Sequence, residues 1–557
     1  MRDKSASGSP APVPSVEPEH TTVDLRGRDF LSTLRIIGRH GMRRPVHSAR
    51  HALALGSELG RILLGKGQTE VNADPRFKDP TWSENPFYRR SLQTYQAWRQ
   101  ELAAWIEDSD LEEDDRERAR FIAMLLGDAL APSNHPLNPL ALKELLNSGG
   151  ASLFKGFSHL IADLRHNGGL PTQVRKTAFE VGRNVAATPG AVVFRNELLE
   201  LLQYQPVAAK HYSRPLLIVP PQINKYYVFD LTVEKSFVQY ALRTDIAVFM
   251  VSWRNPEPCH SDWGLTTYIQ ALEEALDVCL AISGSKDANL MGVCSGGLTI
   301  AALQGYLQAK RQLRKVSSAS YFVSLLDSQI DTPMALFADE KTLDAAKRRS
   351  QQHGVLHGRD MSRVFNWMRP NDLIWNYWVN NYLLGKQPPA FDILYWNNDN
   401  TRLPAAFHSD LLEFFKHNPL TRAGALKIAG LPIDLRKVTV DNFSVAGVTD
   451  HITPWKAVYR SALLLGGKRR FILSNSGHIQ AILNPPSNPK ANFFMADELG
   501  PDPDTWFGKA EHIKGSWWLV WMKWLHERSG ELCEASTSLG NQDYPPMEAA
   551  PGNYVHD

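Results

Sequence analysis

The chain has 557 residues, with 61 Lys and Arg against 59 Asp and Glu, so no strong field of either sign recruits nucleic acid. No apolar run approaches the roughly 18 residues of a membrane span, and the Ser/Pro-rich start lacks the apolar stretch of a signal peptide. Four cysteines (Cys259, Cys279, Cys294 and Cys533) form neither a disulfide framework nor a zinc pattern, so a soluble, cytosolic, metal-free protein is expected.

Residues 1–22 have the Pro/Ser-rich, apolar-poor composition of a disordered tail. A helical domain is expected over 23–180. Its first part, from Asp24 to Lys66, carries nine Lys and Arg against three acidic residues. Leu31, Leu34, Leu53, Leu59 and Leu63 recur there at helical intervals, which predicts a basic amphipathic helix broken near Pro45. The acidic run EDSDLEEDDRE at 107–117 reads as a solvated turn or a helix start, and helical patterns continue to about 175.

Past Gly190 the pattern becomes alternating strands and helices. AVVFRNELLELLQY predicts a hairpin turning near Arg195 and Asn196. RPLLIVPP and IAVFMVSW are short, apolar and β-branched, as buried parallel strands are. YIQALEEALDVCLAISG predicts a helix, ANLMGVCSGG a strand with a sharp turn, and ASYFVSLLD, NFSVAGVTD and RRFILSNSGH three more strands. Such βα repetition implies a mostly parallel sheet with helices on both faces. Between Leu326 and roughly Val440 the rhythm stops, and Trp-, Tyr- and Asn-rich helices predict an inserted cap. Within it Trp375, Asn376, Tyr377 and Trp378, with Tyr382 and Trp396, suit an acyl tunnel, a dimer contact or plain cap core. Trp517, Trp518, Trp521 and Trp524 predict the apolar face of a late helix packed on the sheet.

Gly292-Val293-Cys294-Ser295-Gly296 matches the nucleophile elbow of the α/β-hydrolase fold, with cysteine in place of serine. Partners in that fold follow in the order nucleophile, acid, histidine. Asp450 ends one predicted strand and His478 ends the next, so Cys294, Asp450 and His478 are the expected triad. His451 competes as base and is also a candidate auxiliary; Asp441 precedes its strand and so stands at the wrong end. Cys259, Cys279 and Cys533 are expected to be structural or incidental. Two backbone N–H groups should receive an oxyanion. One is that of Ser295, after the nucleophile. The other belongs to the loop after PLLIVPP, where the prolines have no N–H and Gln222 or Ile223 comes next, Ile223 being the residue chosen.

A thiol beside histidine ionises far more readily than a hydroxyl, and a thiolate also leaves well. Transfer of an acyl group from a thioester to Cys294 exchanges one thioester for another at little free-energy cost. The acyl group stays activated, so an alcohol can then take it downhill into an oxygen ester. Cysteine here therefore favours acyl transfer from a thioester to an alcohol.

The motifs GVCSGG, PPQINKYYVFDL, VSWRNP, MRPNDLIWNYWVNNYLLG, ILYWNND, DHITPW and NSGHIQ resemble the poly(3-hydroxyalkanoate) synthases, most of all the class II enzymes of pseudomonads. The likeness runs over essentially the whole chain beyond the first 25 or so residues. It implies an α/β-hydrolase catalytic domain over 181–557, with its cap at about 326–440. It also implies medium-chain (R)-3-hydroxyacyl-CoA as substrate, no metal or cofactor, CoA as leaving group, a homodimer, and residence in the cytoplasm on the polymer granule. The basic segment 24–66 is then a candidate for granule contact or for a granule-associated partner, and packing of those helices on their own domain is the competing expectation. Two other functions stay open: a cysteine-dependent esterase or thioesterase using the same residues, and a granule-coating protein on a degenerate hydrolase fold.

Overall fold

The computed structural model describes residues 27–67, 74–329 and 340–557, so the tail expected over 1–22 lies outside the described residues. Helix α1 (Gly27–Arg43) and helix α2 (Pro45–Leu63) separate at Arg44, because Pro45 has no N–H to continue the first helix and suits the first position of the second. Helices α3 (Pro86–Glu107) and α5 (Pro139–Asn147) each begin with an Asn-Pro pair, the Asn85 and Asn138 side chains accepting from the N–H of Phe87 and Leu140 at 2.9 Å. Between them α4 (Glu113–Ala129) opens on Glu113, Asp114 and Asp115, where the helix dipole favours negative charge, so the acidic run supplies a helix start.

The leucines of α2 are largely outward, Leu53 and Leu63 being 74% and 70% exposed, while α2 buries His51 and Ile62. On the inward side His51 Nδ1 lies 2.6 Å from Glu101 on α3. One expectation for this region needs correcting: helical structure stops earlier than 175. Helix α6 (Ala151–His166) ends where Gly168 and Gly169 take positive φ.

The sheet has ten strands: β1 (Gly190–Arg195), β2 (Leu199–Tyr204), β3 (Leu216–Val219), β4 (Val248–Trp253), β5 (Ala288–Val293), β6 (Val316–Phe322), β7 (Asp441–Gly447), β8 (Arg469–Ser474), β9 (Asn492–Met495) and β10 (Glu511–Lys514). Their spatial order is β1-β2-β4-β3-β5-β6-β7-β8-β9-β10. The six central strands, β4 to β8, run parallel, and the expected β1–β2 hairpin adds on antiparallel to β4. At the other edge β9 and β10 pair antiparallel, two short strands that the sequence pattern did not announce. Strands β3, β4 and β5 are buried along their whole length, which their unbroken apolar runs require. Helices α7 (Leu265–Ser283) and α8 (Ser295–Ala309) cover one face with a large apolar cluster, and the other face packs on Phe237, Trp517, Trp518 and Trp521. This is the α/β-hydrolase architecture, preceded by a helical region.

The excursion between β6 and β7 contains helices α9 (Glu340–His353), α10 (Gly358–Met368) and α11 (Ala405–His417), with two π-helical segments, Asn371–Trp375 and Trp378–Leu383. The amino-terminal helices hold the π-helical part. Tyr382 donates its hydroxyl to the buried Asp163 carboxylate at 2.7 Å, Trp378 Nε1 donates to the Asn134 carbonyl at 3.1 Å, and Arg76 donates to Asn371 at 2.7 Å. The aromatic segment thus faces inward onto its own chain, with Tyr377, Tyr382 and Trp396 all buried.

Candidate active site

Strand β5 delivers the chain to Cys294 and α8 leaves directly after it. Cys294 has φ 52° and ψ −121°, a conformation that non-glycine residues seldom adopt and that costs about 1–3 kcal/mol unless packing imposes it. Packing does so here. A Cβ on Gly292 would come within 2.7 Å of the Gly296 carbonyl oxygen and the Gly297 Cα, and one on Gly296 would meet the carbonyls of Val219 and Pro220. Strand, helix and the end of β3 therefore close around the turn, and the Cys294 N–H is tied to the Phe322 carbonyl at 3.0 Å.

Asp450 stands past the end of β7, and His478 opens the short helix α12 (His478–Ile482) past the end of β8. His478 Nδ1 lies 2.7 Å from Asp450 Oδ2, and Cys294 is close enough to add to the ring's electrostatics. The structure thus brings Cys294, Asp450 and His478 together. Asp450 is saturated with donors: Oδ1 accepts from the N–H of Ile452 and of Thr453, each at 2.9 Å, and Oδ2 accepts from the Thr453 hydroxyl at 2.7 Å as well as from His478.

Electrostatics follow from that enclosure. Burial alone would raise the Asp450 carboxyl, but the His478 charge and hydrogen bond, with the donors of Thr453, bring it below its ordinary range. Burial pulls His478 downward, and the Asp450 charge and hydrogen bond, joined by Cys294, overcome this and push it up to about 10. An imidazolium beside Cys294 is the form this arrangement favours.

His451 adjoins the acid but has a different setting. It faces Arg369 and Asp372 of the cap, and burial, reinforced by Arg369, draws its pKa down. Asp441 begins β7 and pairs with Arg528 at 2.9 Å, at the far end of the sheet. Cys259 and Cys533 are exposed, and Cys279 is buried within α7, where burial pushes its thiol up.

The loop after β3 approaches α8 from the side. The Gln222 N–H donates to Ser295 Oγ at 3.3 Å, and the Gln222 side chain donates to Thr299 Oγ1 at 2.9 Å. Gln222 is therefore engaged, while the Ile223 N–H has no acceptor among the described residues. A small recess begins at Ile223 and is lined by Asn224, Ser362, Asn397, Asn400 and Thr401, between this loop and the cap.

The late tryptophans hold the short helix that carries the histidine. Trp517 Nε1 donates to the Ala481 carbonyl at 2.8 Å and Trp518 Nε1 to the Ile482 carbonyl at 2.9 Å, so helix α13 (Trp518–His526) and the residue before it anchor α12. The tryptophan cluster is buried on the sheet, as its spacing predicts.

A family model described as the amino terminus of poly-beta-hydroxybutyrate polymerase matches residues 73–241, and the alpha/beta hydrolase fold model matches residues 215–485. The chain is 62% identical over 557 residues, 100% of both chains, to poly(3-hydroxyalkanoate) polymerase 2 of Ectopseudomonas oleovorans. The chain belongs to the poly(3-hydroxyalkanoate) polymerase family. Polymerase 1 of the same organism is 55% identical over 536 residues, 96% of each chain. The poly(3-hydroxyalkanoate) polymerase of Methylorubrum extorquens is 39% identical over 493 residues, 86% of this chain and 80% of its own.

Proposed function

We propose that this chain polymerises (R)-3-hydroxyacyl-CoA of medium chain length into poly(3-hydroxyalkanoate), releasing CoA by way of an acyl group carried on Cys294. One observation carries the reading: a cysteine on a strained elbow, within reach of a histidine whose far nitrogen is fixed by a buried carboxylate.

In the first half-reaction His478 takes the thiol proton, and the thiolate attacks the thioester carbonyl. The oxyanion meets the N–H groups of Ser295 and Ile223. The carbon–sulfur bond to CoA breaks, and CoA leaves as a thiol with the proton from His478. In the second, the 3-hydroxyl of an incoming unit or chain gives its proton to His478 and attacks the acyl-cysteine. Cys294 departs as thiolate beside the imidazolium. One ester bond is formed for each CoA released.

The reading extends to a cap that governs access, its Arg369 and Asp372 being near enough to bias the charge of His451. It extends also to a homodimer working in the cytoplasm on the surface of the polymer granule. No helix among the described residues is long and apolar enough to cross a membrane. Exposed apolar side chains on the amino-terminal helices, such as Phe154 and Phe157, support contact with an apolar surface. Incubation with 3-hydroxyacyl-CoAs of several lengths, following CoA release and polymer mass together, tests the proposal. CoA release matched by free hydroxy acid would instead make the protein a thioesterase.

A further inference from the structure

We infer that Thr453 is a positioning residue of this site: its hydroxyl holds the Asp450 carboxylate and restrains how strongly that carboxylate retains a proton on His478. The inference rests on the proposed roles of Cys294, His478 and Asp450.

Three features carry it. Thr453 is buried at 3% exposure, and its hydroxyl donates to Asp450 Oδ2 at 2.7 Å, the same oxygen that accepts from His478 Nδ1 at 2.7 Å. Its backbone N–H donates to Asp450 Oδ1 at 2.9 Å, so one residue grips both carboxylate oxygens and sets the plane of the group. The Thr453 oxygen also lies 3.3 Å from His478 Nδ1, a second and weaker acceptor for the proton on that nitrogen. Together they hold the Nδ1–H tautomer and leave Nε2 for the thiol or the incoming hydroxyl.

The consequence concerns protons. A carboxylate oxygen that accepts a hydroxyl donor has less charge left for the imidazolium. In the acyl-enzyme His478 must be unprotonated at Nε2 to receive the proton of the attacking 3-hydroxyl. The 3.3 Å contact with Nδ1 pulls the other way but is the longer of the two, so loss of the 2.7 Å donor prevails: without the Thr453 hydroxyl the ring keeps its proton to higher pH, and the acid side of the elongation profile moves up. Other groups near the ring are Cys294 and Asp450 in contact, His451 beside them, and Arg369 with Asp372 on the cap. Substituting Thr453 changes none of their charges.

The test compares wild type, Thr453→Val and Thr453→Ser as full-length proteins, measuring kcat for CoA release from a saturating 3-hydroxyacyl-CoA between pH 6 and 11. Valine keeps the shape and removes the donor, and serine keeps the donor. We expect the acid-side midpoint of Thr453→Val to lie about one pH unit above wild type, with kcat at pH 7 down about tenfold. KM should stay within about twofold, and Thr453→Ser should retain the wild-type midpoint. A partly unfolded variant lowers the height of the profile without moving its midpoint. Coincident midpoints for valine and wild type, or a serine variant displaced as far as valine, would overturn the inference. A Cys294→Ala control separates the two levels: if it still releases CoA, the underlying reading of the site fails and the role of Thr453 falls with it.

Discussion

His478 Nδ1 meets Asp450 Oδ2 at 2.7 Å with the two side chains only 9% and 0% exposed, and this sealed pair fixes the sign of the protein's response to pH. Folded, His478 holds its proton up to about pH 10, against an ordinary value of 6.5. Its contribution to stability is therefore complete below pH 6.5 and fades as pH rises through about 10. Asp450 is depressed instead, so its contribution is present above its ordinary value of 3.8 and disappears as pH falls. His478→Gln should be less stable than wild type at pH 7, and chemical denaturation should find the gap narrowing towards pH 10. A gap that widens over that window contradicts the pairing described.

Cys294→Ser exchanges a single heavy atom on an elbow that fits either. A hydroxyl is a far weaker acid and nucleophile than a thiol, and an acyl-serine is an ester with no stored driving force for a second ester. CoA release and polymer formation should both fall by about 10³-fold or more, with thermal unfolding close to that of wild type. A serine variant that turns over at the wild-type rate would remove the thioester-exchange mechanism.

Asp450→Asn keeps shape and removes charge. The first acyl transfer relies on the intrinsic nucleophilicity of a thiol, and it should persist at a reduced rate. Elongation needs His478 to collect a proton from an alcohol and should fall by roughly 10²- to 10⁴-fold. Rapid quenching resolves the two: a first equivalent of CoA should appear, followed by a much slower steady state. Normal polymerisation by this variant would take Asp450 out of the scheme.

These relationships differ in how far they could be read from the chain. The turn at Cys294 was legible because strand, glycines and helix are consecutive, and the close approaches at Gly292 and Gly296 demand glycine locally. Asp450 and His478 were legible because each follows a strand of recognisable composition, and a parallel sheet brings such ends together. Thr453 was not: three residues past an aspartate it reads as an ordinary turn threonine, and its importance depends on the arrival of His478 from another strand. That Ser295 Oγ takes the Gln222 N–H and leaves the Ile223 N–H without an acceptor among the described residues depends on a contact between residues 73 apart, which no local pattern shows. Nor does any local pattern announce that Tyr382 of the cap reaches Asp163, since both residues satisfy their own helices first.

The orientation of α2 bears on where the protein meets its product. Residues 24–66 are basic, and Leu53 and Leu63 of α2 stand exposed, but α2 also leans on α3 through His51 and Ile62. Helix α6 shows a broader apolar surface: Leu153, Phe154, Phe157 and Leu164 are 60%, 78%, 63% and 58% exposed. Its opposite side is fixed on the cap, where a Cβ on Gly156 would collide with the Tyr382 carbonyl, so the apolar side is held outward. An apolar polyester surface would bury such side chains favourably, at about 1.5–3 kcal/mol for each one fully covered. Removing residues 1–66 should shift protein from the granule fraction to the soluble fraction, though the loss of His51 and Ile62 will also lower stability. The double variant Phe154→Ser/Phe157→Ser changes surface alone, so it should leave the granule with thermal stability and Cys294 acylation unchanged. Fractionation of both variants beside Leu53→Ser/Leu63→Ser assigns the contact. If every one of them stays on granules, these helices serve the fold and contribute nothing to attachment.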